Sequence, residues 1–238
     1  MSVERARKLL SEARSILVIT GAGISAESGI PTFRGEGGLW EGFRAEELAT
    51  PAAFEADPAL VWRWYAWRRT LCNQAEPNPG HFAIAALEER FDDTLLVTQN
   101  VDGLHPRAGS RRLIELHGCI DQARCTRTGR VFPISQGRWQ DGVLLDPVSD
   151  ALARPHILWF GETYWPGTLD VAQAFASRGA DVCLVVGTSG TVWPPAALAL
   201  HAQQAGAVLI EVNPHPGHIT PEADLWIQAA AGEVLPRL

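Results

Sequence analysis

No two of the four cysteines, Cys72, Cys119, Cys125 and Cys183, stand as a Cys-x-x-Cys pair. Scattered in a chain of 238 residues, they read as reduced thiols rather than a disulfide framework, and a cytoplasmic protein is expected. Apolar runs long enough to cross a bilayer are missing, and the N-terminus lacks a signal-peptide h-region, so no membrane partner is expected. Basic residues are outnumbered, with 20 Lys and Arg against 27 Asp and Glu for a net charge of −7. That balance argues against nucleic acid as a partner, which needs clustered positive charge, whereas an acidic protein attracts basic substrates. Internal repeats and low-complexity tracts are absent as well.

What remains is ordinary globular composition, 46% hydrophobic and 20% charged, in a length that suits one domain or one domain with a sizeable insertion. Ala6, Leu9, Leu10 and Ala13 keep helical spacing ahead of a first strand at Ser15–Thr20. Further strand candidates are Thr94–Thr98, Arg112–Leu116, Asp181–Val186 and Ala207–Val212. These runs are continuously apolar, as parallel strands buried on both faces require, and helical stretches such as Pro194–Gln204 lie between them. The pattern predicts an α/β fold with a Rossmann-like, doubly wound parallel sheet. Residues 36–90 look like a helical insertion, and residues 119–153 are polar and poor in regular pattern.

Gly21-Ala22-Gly23 follows the first strand directly, where a tight turn would bring backbone amides close to a pyrophosphate. Glycine turns after strands are equally ordinary punctuation, so the loop alone leaves both readings open. The surrounding blocks decide. Gly21 to Gly35 reads GAGISAESGIPTFRG, Thr98 to His105 reads TQNVDGLH, and His117-Gly118 and Gly187-Thr188-Ser189 follow in order. Arg154-Pro155-His156 and Trp159-Phe160-Gly161-Glu162 complete the set. Together these blocks resemble the sirtuins, NAD-dependent protein deacylases, over most of residues 3–236.

The resemblance implies NAD as cofactor, acylated-lysine proteins as partners, and roles for particular residues. His117 would be the general base acting on a ribose hydroxyl, a task that suits imidazole. Asn100, with Asp102, would serve the nicotinamide and its ribose, and Gln99 a ribose. Gly21, Ala22, Gly23, Ser25, Phe33, Arg34, Trp40 and Val101 would line the same cofactor site, while Gly187, Thr188, Ser189, Asn213 and Ala231 would serve its adenosine half. Trp159, Phe160 and Gly161 would lie along an extended substrate peptide.

Tyr65 and Arg68 are three apart in the helical insertion and share a face. From spacing alone they are an amphipathic helix's packed Tyr and outward Arg. Beside the family blocks they resemble the Tyr-x-x-Arg pair of the branch that removes succinyl and malonyl groups, because a guanidinium grips a distal carboxylate as a fork. Ala49 stands where that branch widens its acyl pocket.

The sequence departs from the family at its structural zinc. Cys125 stands where a first ligand is expected, but Thr128 replaces the second, and Leu144 to Val148 offers Asp146 without Cys or His. A closed tetrahedral site needs four suitable ligands, so no zinc is expected, and Val131, Phe132, Trp139 and Leu144 would hold the module by packing. The expected division is a Rossmann-like NAD-binding domain of residues 1–35, 91–118 and 154–238, with a smaller domain of 36–90 and 119–153. NAD hydrolysis, ADP-ribosyl transfer and a non-catalytic NAD- or peptide-binding module are the rival readings; His117 and Asn100 speak against the last.

Overall fold

The computed structural model describes residues 2–31, 39–40 and 43–238, the side chains of 39 and 40 excepted. Helix α1 (Ser2–Glu12) buries Ala6 and Leu10 and leads into β1 (Ser15–Thr20), buried over its last five residues. After α2 (Gly23–Ala26), the short strands β2 (Leu39–Trp40) and β3 (Phe43–Arg44) pair antiparallel. Four helices follow: α3 (Ala45–Leu48), α4 (Pro51–Ala56), α5 (Pro58–Gln74) and α6 (Pro79–Arg90).

The last three begin alike. Thr50, Asp57 and Asn78 each accept a backbone N–H from the first turn, and a proline follows each cap. Proline sacrifices nothing there, because that N–H has no helical partner.

The chain continues through β4 (Asp93–Thr98), α7 (Leu104–Arg107) and β5 (Leu113–Glu115). It then builds β6 (Gly118–Cys125), β7 (Val131–Pro133), β8 (Arg138–Gln140), β9 (Val143–Leu145) and β10 (Leu152–Ile157). Helices α8 (Leu169–Ser177) and α9 (Pro195–Gln204) alternate with β11 (Val182–Val186) and β12 (Val208–Val212), before β13 (Leu225–Ile227) and α10 (Ala231–Val234).

Six strands form a wholly parallel sheet in the order β13-β12-β11-β1-β4-β5. Successive residues feed opposite faces. Ile16, Val18, Leu184 and Ile210 pack with residues of α1, α6 and α10, while Leu17, Ile19, Cys183 and Leu209 pack with α8 and α9. The Rossmann-like α/β expectation is met, with β13 as an edge strand that the sequence pattern does not announce.

Residues 119–153 are more regular than their composition suggests. Strands β7-β6-β10-β9-β8 form a five-stranded antiparallel sheet. Its strands β8 and β9 are joined by Asp141-Gly142, both at positive φ (50° and 80°), the geometry of a two-residue hairpin. One face of this sheet closes on α4 and α5 through Phe54, Trp62, Tyr65, Ile120 and Leu144, and the Trp62 indole N–H donates to the Ala153 carbonyl at 2.9 Å. Phe132 and Leu144 are buried as expected, whereas Val131 is exposed and Trp139 is half outside, edge-on to Trp62 at 5.2 Å.

Hydrogen bonds brace this sheet around Cys125 and Asp146. Cys125 Sγ accepts the Thr128 N–H at 3.4 Å, and Asp146 accepts the Val148 and Ser149 N–H groups at 2.9 and 2.8 Å. Arg130 donates to Asp146 through Nε and Nη2, at 3.1 and 3.0 Å. Burial pushes the Asp146 carboxyl up, but those bonds outweigh it and hold it at about 2. Among the described residues no three His, Cys, Asp or Glu side chains gather as metal ligands. Nor is any helix among the described residues long and apolar enough to cross a membrane.

Candidate active site

The carboxyl ends of β1, β4 and β11 converge, as ligand-binding edges of open α/β sheets do. Two glycine loops interlock there. Gly23 N–H donates to the Gly187 carbonyl at 2.7 Å, and a Cβ on Gly23 would stand 2.7 Å from that same oxygen. A Cβ on Gly21 would meet Thr188 Cβ at 2.8 Å, and one on Gly187 would meet the Ile24 nitrogen at 2.4 Å. Backbone must approach backbone at all three positions, so each demands glycine.

Behind the loops lies a buried polar network. Ser25 Oγ donates to Asp102 at 2.7 Å and accepts from Asn100 Nδ2 at 3.1 Å; the same Asn100 amide reaches the Gly21 carbonyl at 3.1 Å. Burial raises the Asp102 carboxyl, opposed by the Leu104 and Ser25 hydrogen bonds. The rings of His81 and His105 lie 4.8 Å apart, tilted by 58°. Burial lowers His81 to about 4, and burial with the neighbouring imidazole lowers His105 to about 3. His81 Nδ1 takes the Asn78 N–H, leaving Nε2–H toward Ser25 Oγ at 3.5 Å.

His117 sits at the mouth of this network. Its Nδ1 lies 2.9 Å from the Gln99 carbonyl and its Nε2 3.2 Å from the Tyr164 hydroxyl. A carbonyl can only accept, so Nδ1 carries the proton and the neutral ring presents its lone pair at Nε2. Gly118 makes the exit from this residue possible, for its φ is +85° and a Cβ would stand 2.0 Å from the His156 carbonyl.

A cavity of about 370 Å³ opens from His117 and is lined by Ala22, Ser25, Gln99, Asn100, Val101 and Asp102 on the sheet side. Ala49, Tyr65, Arg68, Trp159, Phe160 and Gly161 line it from the other modules. The Tyr65 hydroxyl accepts the Trp159 indole N–H at 2.9 Å, and the Arg68 guanidinium lies 4.9 Å from the Trp64 ring and 5.4 Å from that of Tyr65. Burial raises the Tyr65 phenol despite Arg68 beside it. Phe160 N–H donates to the Ala49 carbonyl at 3.0 Å, so the two walls are tied by backbone. Trp159 is backed by Arg154, whose guanidinium lies 3.3 Å from its ring and bonds twice to Glu162.

The remaining residues singled out from the sequence are spread more widely. Gly187, Thr188 and Ser189 follow β11, with Thr188 Oγ1 accepting from Gln99 Nε2 at 3.2 Å and the Thr188 carbonyl from Asn213 Nδ2 at 2.9 Å. Ala231 is buried in the core beside Gly80. Phe33 and Arg34 lie outside the described residues, and Trp40 is described by its backbone alone. Sequence reasoning did not reach Tyr164, His81 or Trp193, the last lining the cavity while 65% exposed. No spacing rule ties them to the motifs; only folding brings Tyr164 back over His117.

A model of the Sir2 family matches residues 21–194. NAD-dependent protein deacylase 2 of Pyrobaculum aerophilum is 50% identical over 243 residues, covering 97% of this chain and 92% of that protein. The NAD-dependent protein deacylase of Thermococcus kodakarensis is 48% identical over 242 residues, with 98% and 93% covered. Among solved structures, a Sir2 homolog–NAD complex shares 45% identity at a TM-score of 0.91, covering 98% of this chain and 91% of that one. A Sir2–p53 peptide–NAD+ complex shares 32% identity at a TM-score of 0.88, covering 100% and 97%.

Proposed function

The chain belongs to the Sir2 family, and from that premise we propose that it is an NAD-dependent deacylase of acyl-lysine side chains in proteins, with a preference for succinyl and malonyl groups. The observation that carries the catalytic part is the orientation of His117, whose Nδ1–H is held by the Gln99 carbonyl so that Nε2 opens on the cavity holding Asn100.

NAD fits the residues present. The interlocked glycines bring the β1 and β11 loops together, and Asn100, Asp102 and Gln99 supply polar groups at the carboxyl edge of the sheet. When bound, NAD supplies an activated glycosidic bond and ribose hydroxyls. In this reading His117 Nε2 takes a proton from a ribose hydroxyl, and Asn100 and Asp102 bind the nicotinamide and its ribose. Phe33, Arg34 and Trp40 are assigned to the same pocket; Ser189, Asn213 and Ala231 are assigned to the adenosine half. Trp159, Phe160 and Gly161 bind along the substrate peptide.

The acyl preference rests on Tyr65 and Arg68 lining one cavity with His117. Arg68 would grip the distal carboxylate, while Tyr65, kept neutral by burial and already accepting from Trp159, still has its own O–H to donate. A cytoplasmic place of action, without nucleic-acid or membrane partners and without zinc, completes the proposal, resting on the four free cysteines and the acidic charge.

Mass spectrometry of mixtures with NAD and matched acetyl-, succinyl- and malonyl-lysine peptides tests it. Nicotinamide and O-acyl-ADP-ribose should form together with free lysine. Free ADP-ribose with intact peptide would identify an NAD hydrolase instead, and ADP-ribosylated protein a transferase.

A further inference from the structure

We propose that Tyr164 is a positioning residue for His117, its hydroxyl holding the imidazole nitrogen that faces the cavity and setting how readily that nitrogen takes a proton. The bearing of this contact on turnover rests on the deacylase reading; the contact itself does not.

The argument begins with which atom can donate. Nδ1–H is committed to the Gln99 carbonyl at 2.9 Å, so the Nε2 of a neutral ring can only accept, and the group 3.2 Å away is the Tyr164 hydroxyl. Burial pushes that phenol up to about 12, so it keeps its proton at any working pH and donates. A donor aimed at the lone pair stabilises the neutral imidazole and opposes protonation. An incoming substrate hydroxyl must share or displace this hydroxyl to reach Nε2.

The contact is built into the chain rather than left to a loose side chain. The Leu158 N–H donates to the His117 carbonyl at 3.0 Å, and Glu162 N–H donates to the Trp159 carbonyl at 3.1 Å. The segment carrying Tyr164 is thus referenced to His117 through the backbone as well as the side chain. Its ring packs on the core face that holds Leu116 and Val185, and its centroid lies 6.0 Å from the imidazole. Removing the hydroxyl alone leaves that packing in place.

Other charges share the cavity with His117: Arg68, Asp102 and Glu162 line it, while Arg34 lies outside the described residues. Glu115, two residues before His117, matters most, because burial and the nearby Asp102 push its carboxyl up to about 7. Its titration has to be told apart from that of His117.

Nitrogen-15 and proton NMR titration of the ligand-free full chain separates them, comparing the unmodified protein with Tyr164→Phe and Glu115→Gln. In Tyr164→Phe the His117 midpoint should rise by about half to one pH unit, the size of one lost hydrogen bond. The Nε2 resonance at high pH should shift as that nitrogen loses the phenol donor, with Nδ1 still protonated. Glu115→Gln should move the midpoint without that change at Nε2. A second measurement leaves the side chain in place. The chain has two tyrosines, Tyr65 and Tyr164, and in protein labelled with 3-fluorotyrosine the Tyr164 fluorine should titrate with the His117 midpoint while Tyr65 does not. An unchanged midpoint and Nε2 frequency in Tyr164→Phe, or a Tyr164 fluorine blind to His117, would overturn the proposal. In turnover the acid limb of kcat/KM should follow the NMR midpoint to higher pH. Absence of deacylation in the unmodified protein would sink the deacylase reading while the NMR comparison still decides on Tyr164.

Discussion

Trp159 donates its indole N–H to the phenol oxygen of Tyr65 across 2.9 Å, joining residues 94 positions apart in the chain. The bond couples helix α5 to the segment after β10, so the wall that carries Arg68 and the wall that carries Phe160 are fixed relative to each other.

Arg68→Met should therefore penalise charged acyl groups selectively. Losing a charge-assisted partner in a partly desolvated pocket costs about 2–3 kcal/mol, which corresponds to roughly a thirty- to a hundredfold loss of kcat/KM. Acetyl-lysine presents no distal carboxylate and should be much less affected. Tyr65→Phe should act in the same direction but more weakly, though it also leaves the Trp159 N–H without its acceptor. Both variants are compared on succinyl- and acetyl-lysine within one peptide, and equal slowing of the two would assign Arg68 to structure.

His117→Ala should leave NAD binding largely intact, because the glycine loops and the Asn100 network do not depend on the imidazole. Deacylation should fall by roughly a hundredfold or more, as expected for a missing general base. Calorimetric NAD binding and single-turnover product formation give the two readouts, and near-normal turnover removes His117 from the chemistry.

Three imidazoles should resist protonation. Burial lowers His81 to about 4, His105 to about 3 and His156 to about 4, with His81 adding to the effect on His105 and Arg124 and Arg154 adding to that on His156. Unfolded histidine takes a proton near pH 6.5, so the unfolded chain binds more protons below that value. Stability is fully present above about pH 6.5 and is lost progressively as pH falls toward the folded values. Of the chain's seven histidines, these three should show no titration above pH 5 by NMR, while the melting midpoint drops across the same interval.

Metal analysis of the untagged protein should find far less than one zinc per chain, and chelators should leave its melting unchanged. Asp146→Ala, which removes the acceptor of Arg130 and of the Val148 and Ser149 N–H groups, should lower the melting midpoint by several degrees, where a surface ion pair would leave it unmoved. Stoichiometric zinc that survives chelation would refute this account of the module.

The parallel sheet was legible because its strands are continuous apolar runs buried on both faces. Strand β13, three residues long, carries too little pattern to announce itself. The antiparallel sheet hid for a different reason: its strand Arg138–Gln140 is exposed throughout and Val131–Pro133 buries only Phe132. Asp141-Gly142 did carry a hairpin signal, but the flanking residues lack the alternation that would have made it count. At the site, motifs contiguous in sequence could be read directly, as could Tyr65 and Arg68 one helical turn apart. Tyr164 over His117 and Trp159 on Tyr65 are long-range contacts that only tertiary packing creates.

The antiparallel sheet is rooted where the chemistry is proposed. Strand β6 begins one residue after His117, its partner β10 ends one residue before the Leu158–Trp159 step, and Ile157 pairs with Gly118 at the base. With no room for a Cβ at Gly118, the base cannot slip, so a twist applied far along the ladder arrives at His117 and Trp159 together. The Asp141-Gly142 turn lies at the far end of the sheet's β8–β9 hairpin. A sensor domain spliced into that turn would act as a handle on both walls, and its ligand-driven closure would be read out as a change in acyl-lysine turnover.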